Sequence, residues 1–149
     1  MSLKARLEGG VREALRAGDR VALGAIRLSL SEVKNAEIDK HRPLEDGEIV
    51  LVLRSGVKKR HEAIALYRQG NREELAAKEA AEIRVLEAFL PAALDAAALE
   101  ALVAAAIAES GAATPRDMGK VMKLLVPRVA GRADGAEVSR IVKERLAAS

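Results

Sequence analysis

The chain has 149 residues, 50% of them hydrophobic and 32% charged, with no cysteine and a formal net charge of +3. This composition suits one average domain or two small helical ones, and it excludes intrinsic disorder, disulfides, thiolate catalysis and cysteine-bound zinc. No apolar run approaches the ~18–20 residues of a membrane span, and the start Met1-Ser2-Leu3-Lys4-Ala5-Arg6 is charged within its first turns. No membrane partner and a cytoplasmic location are therefore expected.

Apolar residues recur every three or four positions along nearly the whole chain, the spacing of amphipathic helices. Ser2 is a candidate N-cap for a first helix carrying Leu3, Leu7, Val11 and Ala14, weakened at Gly9-Gly10. After Gly18, Asp19 can cap a second helix with Leu23, Ile26, Leu30, Val33 and Ile38 inward, ended by His41-Arg42-Pro43. A third helix is expected from near Asp46 to Gly70, with Ile49, Leu53, Val57, Ile64 and Tyr67 inward. Asn71 followed by Glu74 has the spacing of a capping box. It would open a fourth helix that buries Leu75, Ile83, Leu86 and Phe89 before Pro91. Asp95 can cap a fifth helix, with Leu99, Leu102, Val103, Ala106 and Ile107 inward and Gly111 at its end. Thr114-Pro115-Arg116-Asp117 combines a threonine cap, a first-turn proline and an acid, so a sixth helix should carry Met118, Val121, Met122 and Leu125 inward and stop at Pro127. Asp134 with Glu137 caps a seventh, whose buried stripe is Val138, Ile141, Val142 and Leu146. No segment alternates as a strand does. The expected class is all-α: a four-helix N-terminal domain over 1–91, then a three-helix domain over 92–149, with the boundary at Pro91 and its alanine-rich sequel.

Motifs that carry catalysis are missing. His61-Glu62 begins like a zinc-protease HExxH, but Ala65 stands where the second histidine is required, and neither histidine follows a glutamate by three. Gly119-Lys120 resembles the end of a phosphate-binding loop, yet Thr114 and Val121 occupy positions that need glycine and a hydroxyl residue. Ser-x-x-Lys occurs twice, at Ser31/Lys34 and Ser55/Lys58, both at helix-surface spacing. Glu79 and Glu82 share one side of the fourth helix, the usual arrangement of a solvated face. No catalytic residue, no metal ligand and no cofactor site is assigned.

Basic residues are distributed unevenly. Residues 1–90 hold 17 Lys/Arg against 15 Asp/Glu, residues 91–114 none against 3, and residues 115–149 hold 8 against 4. Arg116, Lys120 and Lys123 fall on one face of the sixth helix, away from its apolar stripe, and Arg140 and Lys143 lie together on the seventh. Arg128 and Arg132 are expected in the connection between them, beside Gly131 and Gly135, where a backbone can approach a phosphate closely. All seven should project outward without a structural role, so that replacing them changes stability by less than ~0.5 kcal/mol. The third helix carries a secondary basic surface of Arg54, Lys58, Lys59, Arg60, His61 and Arg68, where Glu62, four residues after Lys58, is placed to pair with it. Tyr67 and Phe89 are the only aromatics, so base stacking is not available and any nucleic acid must be held by charge and backbone contacts.

Three blocks carry a resemblance that runs nearly end to end: AIRLSLSEVKNAEID from Ala25 to Asp39, KKRHEAIALYRQGNREELAAKEAAEIRVLEAFLP from Lys58 to Pro91, and DMGKVMKLLVPRVAGRADGAEVSRIVKERL from Asp117 to Leu146. Their joint spacing resembles the YqeY-like family, related to the tail domain of the B subunit of the glutamine-dependent tRNA amidotransferase. The first two blocks look like the family's N-terminal helical domain. The last is similar to the amidotransferase tail, in which a Gly-x-x-Met helix and a small basic turn precede a final helix. The resemblance implies a tRNA-facing helical module, or a part of a tRNA-processing or amidotransferase complex. It also implies an association with carbon–nitrogen ligase activity using glutamine as amide donor. It carries over no catalytic residue. Ala63 departs from the serine expected after the Lys-Arg block, which removes a polar group there.

Three readings follow: a tRNA-binding accessory module, a helical protein–protein adaptor, and an enzyme whose site has no recognisable motif. Salt separates the first two, because phosphate binding weakens by roughly 0.7–0.9 log units per contact per log unit of salt. An apolar docking surface barely responds.

Overall fold

The computed structural model of the chain describes residues 1–148, with seven α-helices, one 3₁₀ turn and no strand among them. The chain divides into two compact units, Met1–Leu90 and a second from Pro91 onward.

The first unit contains α1 (Leu3–Ala17), α2 (Arg20–Lys40), α3 (Asp46–Gln69) and α4 (Glu73–Glu87). The expected caps close α1 and α2: Ser2 Oγ accepts from Ala5 N–H at 3.1 Å and Asp19 Oδ1 from Ala22 N–H at 3.0 Å. Leu3, Leu7, Ile26, Val33, Ile49, Leu53 and Leu86 meet in one core, and a smaller cluster of Ile64, Ala76 and Ile83 fills the far end of the α3–α4 hairpin. Gly10 does not break α1. It makes room, since a Cβ there would lie 2.9 Å from Phe89 Cζ and 3.0 Å from Ile26 Cδ1. The α2–α3 loop is fastened by two carboxylates. Glu37 accepts from Lys4 Nζ at 2.9 Å and from Leu44 N–H at 2.8 Å. Glu48 accepts from Glu45 N–H at 3.0 Å, from Lys40 Nζ at 2.9 Å, and from both ends of the Arg42 fork at 2.8 and 2.9 Å. The Lys4 ammonium holds the Glu37 carboxyl below the usual range, and the Arg42 guanidinium holds that of Glu48 far below it.

Two expectations about helix ends fail in this unit. Ile38 is 59% exposed rather than inward, because Ala36 and Glu37 hold the inner side of that turn of α2. Asn71 does not cap α4: it sits at φ 58, a left-handed position that asparagine tolerates, and Arg72 is the N-cap. Arg72 N–H then donates to Tyr67 O at 2.8 Å, so Asn71 serves the end of α3 and not the start of α4.

The second unit contains α5 (Ala96–Ser110), the 3₁₀ turn Pro115–Asp117, α6 (Met118–Val129) and α7 (Gly135–Ala147). Leu99, Val103, Ala106, Val121, Leu125, Val138, Val142 and Leu146 form its core, matching the apolar stripes expected from the sequence. Asp95 Oδ1 caps α5 through Ala98 N–H at 2.7 Å, and Asp134 Oδ1 caps α7 through Ala136 N–H at 3.1 Å. The expected single sixth helix instead begins as a 3₁₀ turn, and Pro127 does not stop it. Proline removes the N–H that would reach the carbonyl of Lys123 and crowds that oxygen, but both residues are exposed, so water can serve it. The helix ends two residues later, where Ala130 and Gly131 turn left-handed at φ 48 and 73.

Candidate nucleic-acid interface

The start of α6 is built around Asp117. Its Oδ2 accepts from Ala113 N–H at 2.9 Å and Thr114 N–H at 3.2 Å, and these backbone donors hold its carboxyl below the ordinary aspartate range. With the turn fixed, Arg116 is exposed beside it, and Lys120 and Lys123 stand on the solvent side of α6. Lys120 is 70% exposed and reaches Asp117 Oδ1 only at 3.8 Å. Lys143 is exposed on α7, three residues after Arg140. Arg116, Lys123 and Lys143 have no hydrogen bond or ion pair among the described residues. These side chains are available to an anion.

The remaining cations of the predicted set are engaged within the chain, which corrects the expectation that all seven are free of structural roles. Arg128 lies in the last turn of α6 rather than in the connection, and its guanidinium pairs with both carboxylate oxygens of Glu109 on α5, Nη2–Oε1 being 3.1 Å. Each partner strengthens the other's charge: the Arg128 pKa is raised and that of Glu109 lowered. Arg132 turns back on the end of α6, with Nη2 donating to Arg128 O at 2.8 Å and Nε to Val129 O at 3.2 Å. It thereby satisfies carbonyls that a helix C-terminus leaves open. Its own carbonyl accepts from Leu94 N–H at 2.9 Å, so the turn also holds the lead-in to α5. Arg140 meets Glu144 at 3.0 Å, one helical turn on. Gly131 is buried, so the glycine serves the left-handed turn and not an approaching phosphate.

Sequence reasoning missed a second tie of the same kind. Arg145 on α7 binds Glu100 of α5 through Nε at 2.9 Å and through Nη2. The signal was present: α5 carries acids and no base, while α6 and α7 are base-rich. A three-helix unit built from such helices pairs some of that charge internally.

The α3 surface divides likewise. Arg60 is 7% exposed, not a surface cation. Its Nε donates to Glu82 Oε2 at 2.9 Å, with Glu79 at 4.0 Å, and its Nη1 donates to Gly56 O at 3.1 Å. Glu79 and Glu82 are therefore the counter-charges of a buried guanidinium and not a solvated face. Gly56 leaves the space, since a Cβ there would come within 3.0 Å of Arg60 Nη1. Arg68 contacts Glu73 at 3.4 Å across the α3–α4 turn, both being exposed. Lys58 and Lys59 are exposed, Lys58 makes no pair with Glu62, and Arg54 is half-buried. Among the described residues no group of three or more His, Asp or Glu side chains is placed to hold a metal ion, and no single helix is long and apolar enough to cross a membrane.

The chain is similar to known proteins. Over 147 residues, covering 96% of the chain and 80% of the relative, it is 27% identical to altered inheritance of mitochondria protein 41 of Pyrenophora tritici-repentis. The protein of the same name in Kluyveromyces lactis is 35% identical over 86 residues, which cover 57% of the chain and 46% of that protein. An uncharacterized protein of Schizosaccharomyces pombe is 28% identical over 90 residues, 60% of the chain and 73% of that protein. The family model described as Yqey-like protein matches residues 4–146, and the chain therefore belongs to the YqeY-like family.

Proposed function

We propose that this protein is a tRNA-contacting accessory module, linked to glutamine-dependent amidotransferase function, and that the solvent side of its C-terminal unit meets the phosphate backbone. The observation that carries this reading is the state of four cations: Arg116, Lys120, Lys123 and Lys143 are exposed, and among the described residues only Lys120 has an acid within 4.0 Å. Arginines of the same stretch that do have acids in reach are paired with them, so the four that remain are a surplus over what the fold uses. The likeness of this stretch to the amidotransferase tail supports the choice of tRNA among polyanions. With no aromatic residue in the unit, affinity would come from counterion release alone, sequence-tolerant and salt-sensitive.

The test is binding of unmodified tRNA to the full chain over a series of salt concentrations. Four phosphate contacts predict that log affinity falls with log salt at a slope of roughly −3 to −4. Salt-independent binding, or none at low salt, would remove this reading and leave the adaptor.

A further inference from the structure

Arg54, Lys58 and His61 follow one another at i, i+4 and i+7 on α3 and so share a face. They border a shallow, open groove along the surface of α3, which Val57, Glu62 and Ala65 also line. None of the three donors has a hydrogen-bond or ion-pair partner among the described residues, and Arg54 Nε is buried with no acceptor at all. Arg60, six residues further along the same helix and more deeply buried, has two glutamates from α4 and a carbonyl. Arg54 receives none of these. A buried donor without an acceptor is costly, and a rotation of the half-buried Arg54 side chain would bring its Nε–H to an acceptor in the groove beside it.

We propose that this groove is a phosphate-binding site. An arginine presents Nε–H and Nη–H as a fork that matches two oxygens of one phosphate. Lys58 adds a point charge, and an imidazole donates an N–H in either protonation state. Glu62 is the one anion in the lining and opposes the ligand, leaving two fixed cations against one carboxylate. Val57 and Ala65 give the groove an apolar floor, on which a body attached to the phosphate would rest. A phosphorylated small molecule and the sugar–phosphate chain of an RNA both meet that description, and the phosphate is the chemistry they share.

The experiment titrates the ¹⁵N-labelled full chain with inorganic phosphate, with adenosine monophosphate and with a single-stranded RNA oligonucleotide, against acetate at matched ionic strength. The Arg54 Nε–H resonance should shift and saturate, with a phosphate Kd on the order of 1 mM. Arg54→Lys keeps the charge but loses the fork, and should weaken binding roughly tenfold or more. Glu62→Gln should tighten it. If Arg54→Lys does not fold by circular dichroism, Lys58→Gln, at an exposed position, should still weaken binding. Saturable monophosphate binding identifies a small-molecule site. Binding of the RNA alone, weakened by the same substitutions, identifies the backbone. Neutralising Arg116, Lys120, Lys123 and Lys143 should leave phosphate binding here unchanged, which separates this site from the C-terminal surface. An Arg54 signal that no phosphate moves, one that acetate moves equally, or affinity indifferent to these groove substitutions overturns the proposal.

Discussion

The α3–α4 hairpin and the C-terminal three-helix unit both carry rows of basic residues on helix faces, yet they settle that charge in different ways. In the hairpin, one guanidinium is taken inside: Arg60 sits between Glu79 and Glu82 with Gly56 cleared to admit it. In the C-terminal unit the pairs stay near the surface, with Arg128 and Arg145 reaching from α6 and α7 to Glu109 and Glu100 of α5. The difference teaches how to read a basic stripe. A cation's spacing along its own helix says which way it points, but the acids of the neighbouring helix decide whether it is available to a ligand.

The comparison breaks most readily at Arg60. Arg60→Ala leaves Glu82 without its donor, and Glu82→Ala leaves the buried guanidinium with the Gly56 carbonyl and, as counter-charge, only Glu79 at 4.0 Å. Each should cost about 3–5 kcal/mol by urea denaturation, because removing one member of a buried pair strands the other. Arg128→Ala, breaking a pair at the surface of the C-terminal unit, should lower the melting temperature only slightly. Equal losses at the two sites would show that burial does not distinguish them.

Packing supplies the next largest contrast. Gly10→Ala puts a Cβ against Phe89 and Ile26 and should destabilise by about 1–3 kcal/mol despite the gain in helix propensity. At Gly9 the nearest neighbour of such a Cβ is the mobile tip of Arg12 at 3.7 Å, so Gly9→Ala should stabilise by about 0.5–1 kcal/mol. Two adjacent glycines with the same sequence signature are thus expected to give opposite signs in the same denaturation assay.

Much of this architecture was legible in the sequence. The helix stripes and the caps Ser2, Asp19, Asp95 and Asp134 are local features, and local physics fixes them. What escaped was non-local. The spacing of α3 puts Arg60 on the inward stripe between Gly56 and Ile64, but it does not say what receives the charge, because the deciding carboxylates stand some twenty residues on. Pro127 misled for a related reason: its stopping power depends on whether the freed carbonyl can be served otherwise, and here Lys123 and Pro127 are both exposed, where water can serve it. Of the seven predicted C-terminal cations, Arg116, Lys120, Lys123 and Lys143 remain candidates for a ligand, while Arg128 and Arg132 belong to the fold and Arg140 is shared with Glu144.

A smaller effect is expected from pH. Glu37 and Glu48 have their carboxyl pKa values lowered in the folded chain, by Lys4 and Arg42 first. Groups of that kind stabilise the fold fully above the unfolded glutamate range of about 4.3, and the contribution is lost as pH falls through the folded values below it. The urea midpoint should therefore decline below about pH 4, and Glu48→Gln should flatten that decline while lowering the midpoint at neutral pH.

The central claim is that free cations of the C-terminal unit bind and engaged ones hold the fold. The direct measurement is tRNA affinity at low salt, read beside the melting temperature, for Arg116→Gln/Lys120→Gln/Lys123→Gln/Lys143→Gln against Arg128→Gln/Arg132→Gln. The first variant should lose tRNA binding with an unchanged melting temperature. The second should keep most of the binding and melt earlier. If the fourfold variant bound tRNA as the parent does, or if the double variant alone lost binding without melting earlier, the division between binding and structural cations would be contradicted.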